Sequence, residues 1–270
     1  MSFIEMINAL VEKNNSLVCV GLDTDPQKLP KHILAQEFPI FEFNKSIIDA
    51  TADLVCAYKP QIAYYSAKNA ENQLEMTIQY IHKNYPGIPV ILDAKRNDIG
   101  STAAMYAEEA FLRYQADAVT VNPYLGQDAL DPFIQYKEKG VIILCRTSNP
   151  GARQLQDLLV DGEKLYQRVA KLAVREWNYN RNILLVVGAT YPAELKEIRH
   201  IVGDMILLVP GIGAQGGDVK EAVLNGKSSA GAGMIINASR SIIYASNDKT
   251  FSAAARKACR EMRDQINQSR

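Results

Sequence analysis

An eight-stranded α/β barrel (a TIM barrel), preceded by one extra helix, is the fold this sequence predicts. Three observations lead there. Short apolar runs recur eight times, at 17–22, 54–59, 89–93, 118–122, 141–146, 183–187, 206–210 and 233–236. They are continuously hydrophobic rather than alternating, as strands covered on both faces are. Segments with helical spacing separate them, and 270 residues is an ordinary length for one such barrel. A doubly wound sheet can also hold eight strands, but regular β/α alternation over this length favours closure.

The elements follow in order. Phe3, Ile7, Leu10 and Val11 share one face of an N-terminal helix suited to covering the bottom of the barrel. The first strand runs into Asp23, the second ends at Lys59-Pro60, and the third ends Asp93-Ala94-Lys95. Proline biases Lys59 toward extended backbone, which suits a strand terminus. The fifth and seventh strands are followed by the loops richest in turn residues, Thr147-Ser148-Asn149-Pro150-Gly151 and Gly211-Ile212-Gly213-Ala214-Gln215-Gly216-Gly217. Between the fifth and sixth strands, Leu165, Val169, Leu172 and Ala173 share a helical face, as do Ala255, Cys259, Met262 and Ile266 after the eighth. No linker, low-complexity tract or short repeat divides the chain, so residues 1–270 read as one domain.

Composition narrows the function. Thirty Lys and Arg balance thirty Asp and Glu, which speaks against nucleic acid or an anionic membrane as partner. No stretch reaches the roughly 20 apolar residues of a membrane helix. The N-terminus lacks the pattern of a signal peptide, so the cytoplasm is the expected location. Cys19, Cys56, Cys145 and Cys259 have no CxxC spacing and fall in apolar runs, as buried reduced thiols do. His32, His82 and His200 show no metal spacing and read as surface residues, which argues against histidine-dependent chemistry.

Barrel active sites form at the C-terminal strand ends, so polar residues there call for an explanation. Asp93 and Lys95 stand two apart and point the same way in extended chain. Asp98 follows on the loop. Lys59 ends the neighbouring strand. Four charges converging on one region are costly to bury unless paired, and such arrays cluster at functional sites. The glycine-rich turn from Pro210 to Gly213 offers backbone N–H groups, and Arg240 in Asn237-Ala238-Ser239-Arg240-Ser241 offers a fork of donors. Loops after strands 7 and 8 are the recurrent phosphate site of this fold. A phosphorylated small substrate and proton transfer to a developing carbanion follow. Schiff-base chemistry at a lysine is the rival. Against it, Asp93 and Asp98 would keep Lys95 protonated.

The pattern Asp-x-Lys-x-x-Asp-Ile-x-x-Thr from Asp93 to Thr102 resembles that of the orotidine 5′-phosphate decarboxylases. So do Lys59, the loop from Thr147 to Gly151, the segment from Pro210 to Asp218, and Ser239-Arg240-Ser241-Ile242, all in the family's order. Asn122-Pro123-Tyr124-Leu125-Gly126 is similar to the longer bacterial branch.

The resemblance implies decarboxylation of orotidine 5′-monophosphate to UMP, the last step of UMP biosynthesis, with no cofactor and no metal. It implies Lys59, Asp93, Lys95 and Asp98 as catalytic residues, Lys95 protonating C6. It assigns Asp23 to the ribose hydroxyls, Ser148 to the pyrimidine, and Gln215 and Arg240 to the phosphate. It also implies a homodimer in which Asp98 and Thr102 reach into the partner's site. One alternative is a sugar-phosphate decarboxylase of the 3-keto-gulonate 6-phosphate type, which shares Asp-x-Lys-x-x-Asp but uses Mg²⁺. It carries a carboxylate where this chain has Lys59. The other alternative, a catalytically silent nucleotide-phosphate binder, would be marked by loss of a cluster residue, and all four are present.

Overall fold

Eight parallel strands lie side by side in a computed structural model that describes residues 1–212 and 218–270. They are β1 (Val18–Leu22), β2 (Ala57–Pro60), β3 (Ile91–Arg96), β4 (Ala118–Val121), β5 (Gly140–Arg146), β6 (Ile183–Val187), β7 (Leu207–Pro210) and β8 (Met234–Ala238). Their order is β2-β1-β8-β7-β6-β5-β4-β3. The seam between β2 and β3 is closed by isolated bridges, Tyr58 to Val90 and Gln61 to Asp93, with the Tyr58 N–H donating to the Pro89 carbonyl at 3.1 Å. The sheet therefore returns on itself as a barrel with helices between its strands. Every residue of β1, β2, β6 and β8 is buried, which is why those runs show no polar alternation.

The bottom of the barrel is plugged as expected. Helix α1 (Phe3–Lys13) carries a capping box at Ser2 and Glu5 and buries Phe3, Ile7 and Leu10, while Val11 is half-buried. A β-carbon at Gly140 would lie 2.4 Å from the Phe3 ring, so glycine at the start of β5 makes room for the plug. All four cysteines are buried and free, and Ala255, Cys259, Met262 and Ile266 form the buried face of the last helix, Phe251–Asn267.

Several boundaries and faces differ from expectation. The second strand starts at Ala57 because the preceding helix continues as a 3₁₀ turn through Ala52–Leu54. On the helix Leu165–Leu172 the fully buried side chains are Tyr166 and Ala170, followed by Ala173 and Trp177, not Leu165, Val169 and Leu172. Those three instead line an apolar cavity of about 390 Å³ beside β5. His32 and His200 are exposed, but His82 is half-buried and bonds Asp117 at 2.9 Å. That carboxylate also accepts from the Val90 N–H at 2.9 Å, so it ties a helix to the start of β3. Among the described residues no helix is long and apolar enough to cross a membrane.

Candidate active site

A cavity of about 500 Å³ opens at the C-terminal ends of the strands. Its walls come from β1 (Asp23), β2 (Lys59), β3 (Asp93, Lys95), β4 (Thr120), the loop after β5 (Thr147, Ser148, Asn149) and β8 (Asn237). These polar groups lie from the middle of the strands onward or in the loops that follow them.

The charges form a chain. The Lys59 ammonium, 4% exposed, lies 2.9 Å from Asp93 Oδ2 and 3.8 Å from Asp23 Oδ1. Asp93 Oδ1 accepts from Lys95 Nζ at 2.7 Å. Lys95 is far more open than its partner, its side chain 46% exposed against 11% for Asp93. Asp23, Lys59, Asp93 and Lys95 thus alternate in sign, with Lys59 and Asp93 buried in the middle and Lys95 at the most open end, an ammonium in the cavity.

Charge states follow from this pairing. Burial alone would depress the Lys59 ammonium, but Asp93 and Asp23 outweigh it and hold the group above its ordinary value. Burial alone would raise the Asp93 carboxyl, but Lys59 and Lys95 hold it well below the usual carboxylate range. Both are charged across the physiological range.

Lys95 reaches its place by a route that simple strand geometry does not give. Its backbone is left-handed, with φ 47°, and the pairing register of β3 on β4 shifts between Leu92 and Arg96. This is a bulge, and a non-glycine residue in that conformation costs about 1–2 kcal/mol. Thr120 on β4 holds it. Its hydroxyl donates to Asp93 Oδ1 at 2.8 Å and accepts from the N–H groups of Ala94 at 3.0 Å and Lys95 at 2.9 Å. One side chain thereby fixes both the carboxylate and the bulge. Asp93 and Lys95 do meet, but through a bulge pinned from the next strand rather than through the alternation of an extended chain.

Other expected residues are placed differently. Asp98 is half-buried, its carboxylate accepting from the Ile99 N–H at 2.8 Å, and it does not line the cavity. Thr102 is exposed on the helix Gly100–Glu108. A single chain therefore assembles Lys59, Asp93 and Lys95 but not Asp98. Ser148 lines the cavity, and Arg240 lies exposed at the start of the short helix Arg240–Ile243 after β8. Gln215 lies outside the described residues.

Sequence inspection missed Thr120 and Asn237. Each is a single polar residue in an otherwise apolar strand, and that was the available signal. Asn237 Oδ1 and Asp23 Oδ1 are buried without a hydrogen-bond partner among the described residues, although the Lys59 ammonium lies 3.8 Å from the latter.

Known proteins resemble this chain over its whole length. The profile of the orotidine 5′-phosphate decarboxylase / HUMPS family matches residues 16–257. The chain is 61% identical to an orotidine 5′-phosphate decarboxylase of Dechloromonas aromatica over 99% of both chains. It is 60% identical to the protein of that name from Cellvibrio japonicus over the whole of both. It superimposes on the OMP decarboxylase structure of Leishmania donovani with a TM-score of 0.85 at 38% identity, covering 98% of this chain and 99% of that one. A barrel with a Lys–Asp–Lys chain at its mouth and full-length relatives of this kind have one explanation: the chain belongs to the orotidine 5′-phosphate decarboxylase / HUMPS family.

Proposed function

We propose that this protein decarboxylates orotidine 5′-monophosphate to UMP and CO₂, with Lys95 as the proton donor to C6. The observation that carries the proposal is the Lys59–Asp93–Lys95 chain, whose open end presents an ammonium to the cavity. The reaction needs such a group. Breaking the C6–carboxylate bond leaves an electron pair on C6 with no conjugated sink, and the upper range of enzymatic accelerations, about 10¹⁷-fold, lowers a barrier by about 23 kcal/mol. Lys95 Nζ–H stabilises the developing charge and delivers its proton to C6, and the neutral amine then recovers a proton from solvent.

Asp93 lies near the substrate carboxylate in this scheme, as does Asp98 of the partner subunit. Two like charges about 4 Å apart repel by about 4 kcal/mol at an effective dielectric near 20. That repulsion disappears as neutral CO₂ departs, so it acts on the ground state alone. Lys59 orients Asp93. Asp23 takes ribose hydroxyls, Ser148 takes the pyrimidine, and Gln215 with Arg240 takes the phosphate. No step calls for a cofactor or metal. Lys59 occupies the position at which a Mg²⁺-dependent sugar-phosphate decarboxylase has a carboxylate, and a cation there favours the nucleotide reaction.

Residues 1–270 act as one cytoplasmic domain that pairs into a homodimer, with Asp98 and Thr102 completing the partner's site. Support comes from the apolar surface around them. Ile99 and Met105 are 58% and 56% exposed, and Tyr124 and Leu125, before the helix packed on Gly100–Glu108, are 72% and 42% exposed. Lys95→Ala tests the proton-donor role. It should keep UMP affinity within about threefold and abolish turnover, a loss confined to the transition state; turnover within about tenfold of the parent would contradict the assignment.

A further inference from the structure

Arg146 ends β5 inside the barrel wall and is fully buried, yet the chemistry proposed above makes no use of it. Its guanidinium stacks over the Tyr191 ring at 4.6 Å and lies 3.3 Å from Asp157. It donates to the Thr147 carbonyl at 3.0 Å and to Gln156 Oε1 at 3.4 Å. Gln156 continues the contact. Its Oε1 accepts from the Thr147 N–H and its Nε2 donates to Thr147 Oγ1, both at 2.9 Å. Arg146, held by Asp157, and Gln156 therefore grip Thr147 and tie the end of β5 to the segment around Gln156.

That loop needs such a grip. It carries Ser148 into the cavity, and the apolar cavity of about 390 Å³ beside β5 shares Leu144 and Gln156 with the site. The loop is pressed against the residue that follows β6, where a β-carbon at Gly188 would sit 2.8 Å from Ser148 Cβ. Ser148 thus follows the clamped Thr147 and lies against Gly188, so the clamp bears on its depth in the cavity.

We propose that Arg146, acting through Gln156, is a positioning residue for the nucleobase: it sets the height of the Thr147–Asn149 edge against which the pyrimidine lies. The proposal rests on the nucleotide reading of the site. Among the described residues the bonds of the clamp reach neither Arg240 nor the Lys59–Asp93–Lys95 chain, so its loss should be felt chiefly by ligands that carry a base. Arg146→Lys keeps the charge but lacks the planar, forked geometry. Gln156→Leu keeps the volume and removes the bonds to Thr147.

The test is calorimetric binding of UMP and of ribose 5-phosphate, with kcat and KM for orotidine 5′-monophosphate measured alongside. Both variants should weaken UMP by about tenfold or more and raise KM to match, with kcat within about threefold, as loss of uniform binding does. Ribose 5-phosphate affinity should stay within about twofold, an effect that general destabilisation would not produce. If Arg146→Lys does not fold, Gln156→Leu decides alone. Equal weakening of both ligands, or of neither, overturns the clamp. A parent protein that binds UMP no better than ribose 5-phosphate overturns the nucleotide reading and the clamp with it.

Discussion

Replacing Thr120 by valine removes one oxygen and keeps the shape of the side chain. The Thr120 hydroxyl makes three hydrogen bonds, one to Asp93 Oδ1 and two from the backbone of Ala94 and Lys95. Two partly buried N–H groups left without an acceptor cost about 1 kcal/mol each, and a carboxylate that loses a donor costs about 1.5 kcal/mol or more. The sum is about 3–4 kcal/mol, and the left-handed backbone of Lys95, itself costing about 1–2 kcal/mol, loses its restraint. At about 2–4 °C per kcal/mol for a chain of this size, Tm should fall by roughly 6–16 °C. The rate should fall further than stability alone requires, because a displacement of about 1 Å at a reacting group costs about a hundredfold. The assays are thermal unfolding, UMP binding, and steady-state turnover at a temperature where the variant is folded. Thr120→Ser should recover kcat to within about threefold, since it restores the hydroxyl. A valine variant that melts early but turns over within about threefold of the parent would refute the reasoning, leaving Thr120 a role in stability alone.

Three further outcomes are expected. Gln215→Ala should raise KM by about tenfold or more with a smaller change in kcat, and an unchanged KM would count against a phosphate contact at that position. The Asp93 carboxyl is held low, so its contribution to stability is present above the ordinary carboxylate value near 3.9 and is lost as pH falls through the folded value; Lys59 is held high, so its contribution is lost only above about 10.4. Urea midpoints should therefore be insensitive to this pair between about pH 5 and 9, and Asp93→Asn should flatten the acid limb while lowering stability by about 3–5 kcal/mol, as a broken buried pair does; an unaltered acid limb would contradict the pairing. Lys95→Ala and Asp98→Ala subunits, each inactive, should regain about a quarter of parental activity when mixed in equal amounts and allowed to exchange, because half the dimers then hold one intact site. Continued inactivity in exchanged heterodimers would place Asp98 in its own subunit's site.

The barrel was legible because burial on both faces writes a strand as an unbroken apolar run, and β1 and β6 are buried throughout. Lys59, Asp93 and Lys95 were legible because three charges at the ends of neighbouring apolar runs converge on one region, which a single ion pair at a strand end would not do. The bulge at Lys95 was not, since its cause lies in another strand, in the hydroxyl of Thr120. Spacing within one segment cannot report a contact made across two. The face of the helix Leu165–Leu172 was misjudged for a related reason. Apolar spacing finds a hydrophobic stripe but does not separate side chains packed in the core, such as Tyr166, from those that line a cavity, such as Leu165. Asp98 shares a sequence motif with Asp93 and Lys95 yet stays away from their cavity within the chain. A motif records who acts together, and it is silent on which subunit each member serves.

The proposed reaction is a decarboxylation that the Lys59–Asp93–Lys95 chain carries out without a metal. The most direct measurement is the ultraviolet absorbance of orotidine 5′-monophosphate mixed with the purified protein in excess EDTA. The absorbance should decay to that of UMP at the same rate with and without the chelator. An unchanged spectrum, or a decay that EDTA abolishes and Mg²⁺ restores, would contradict the account.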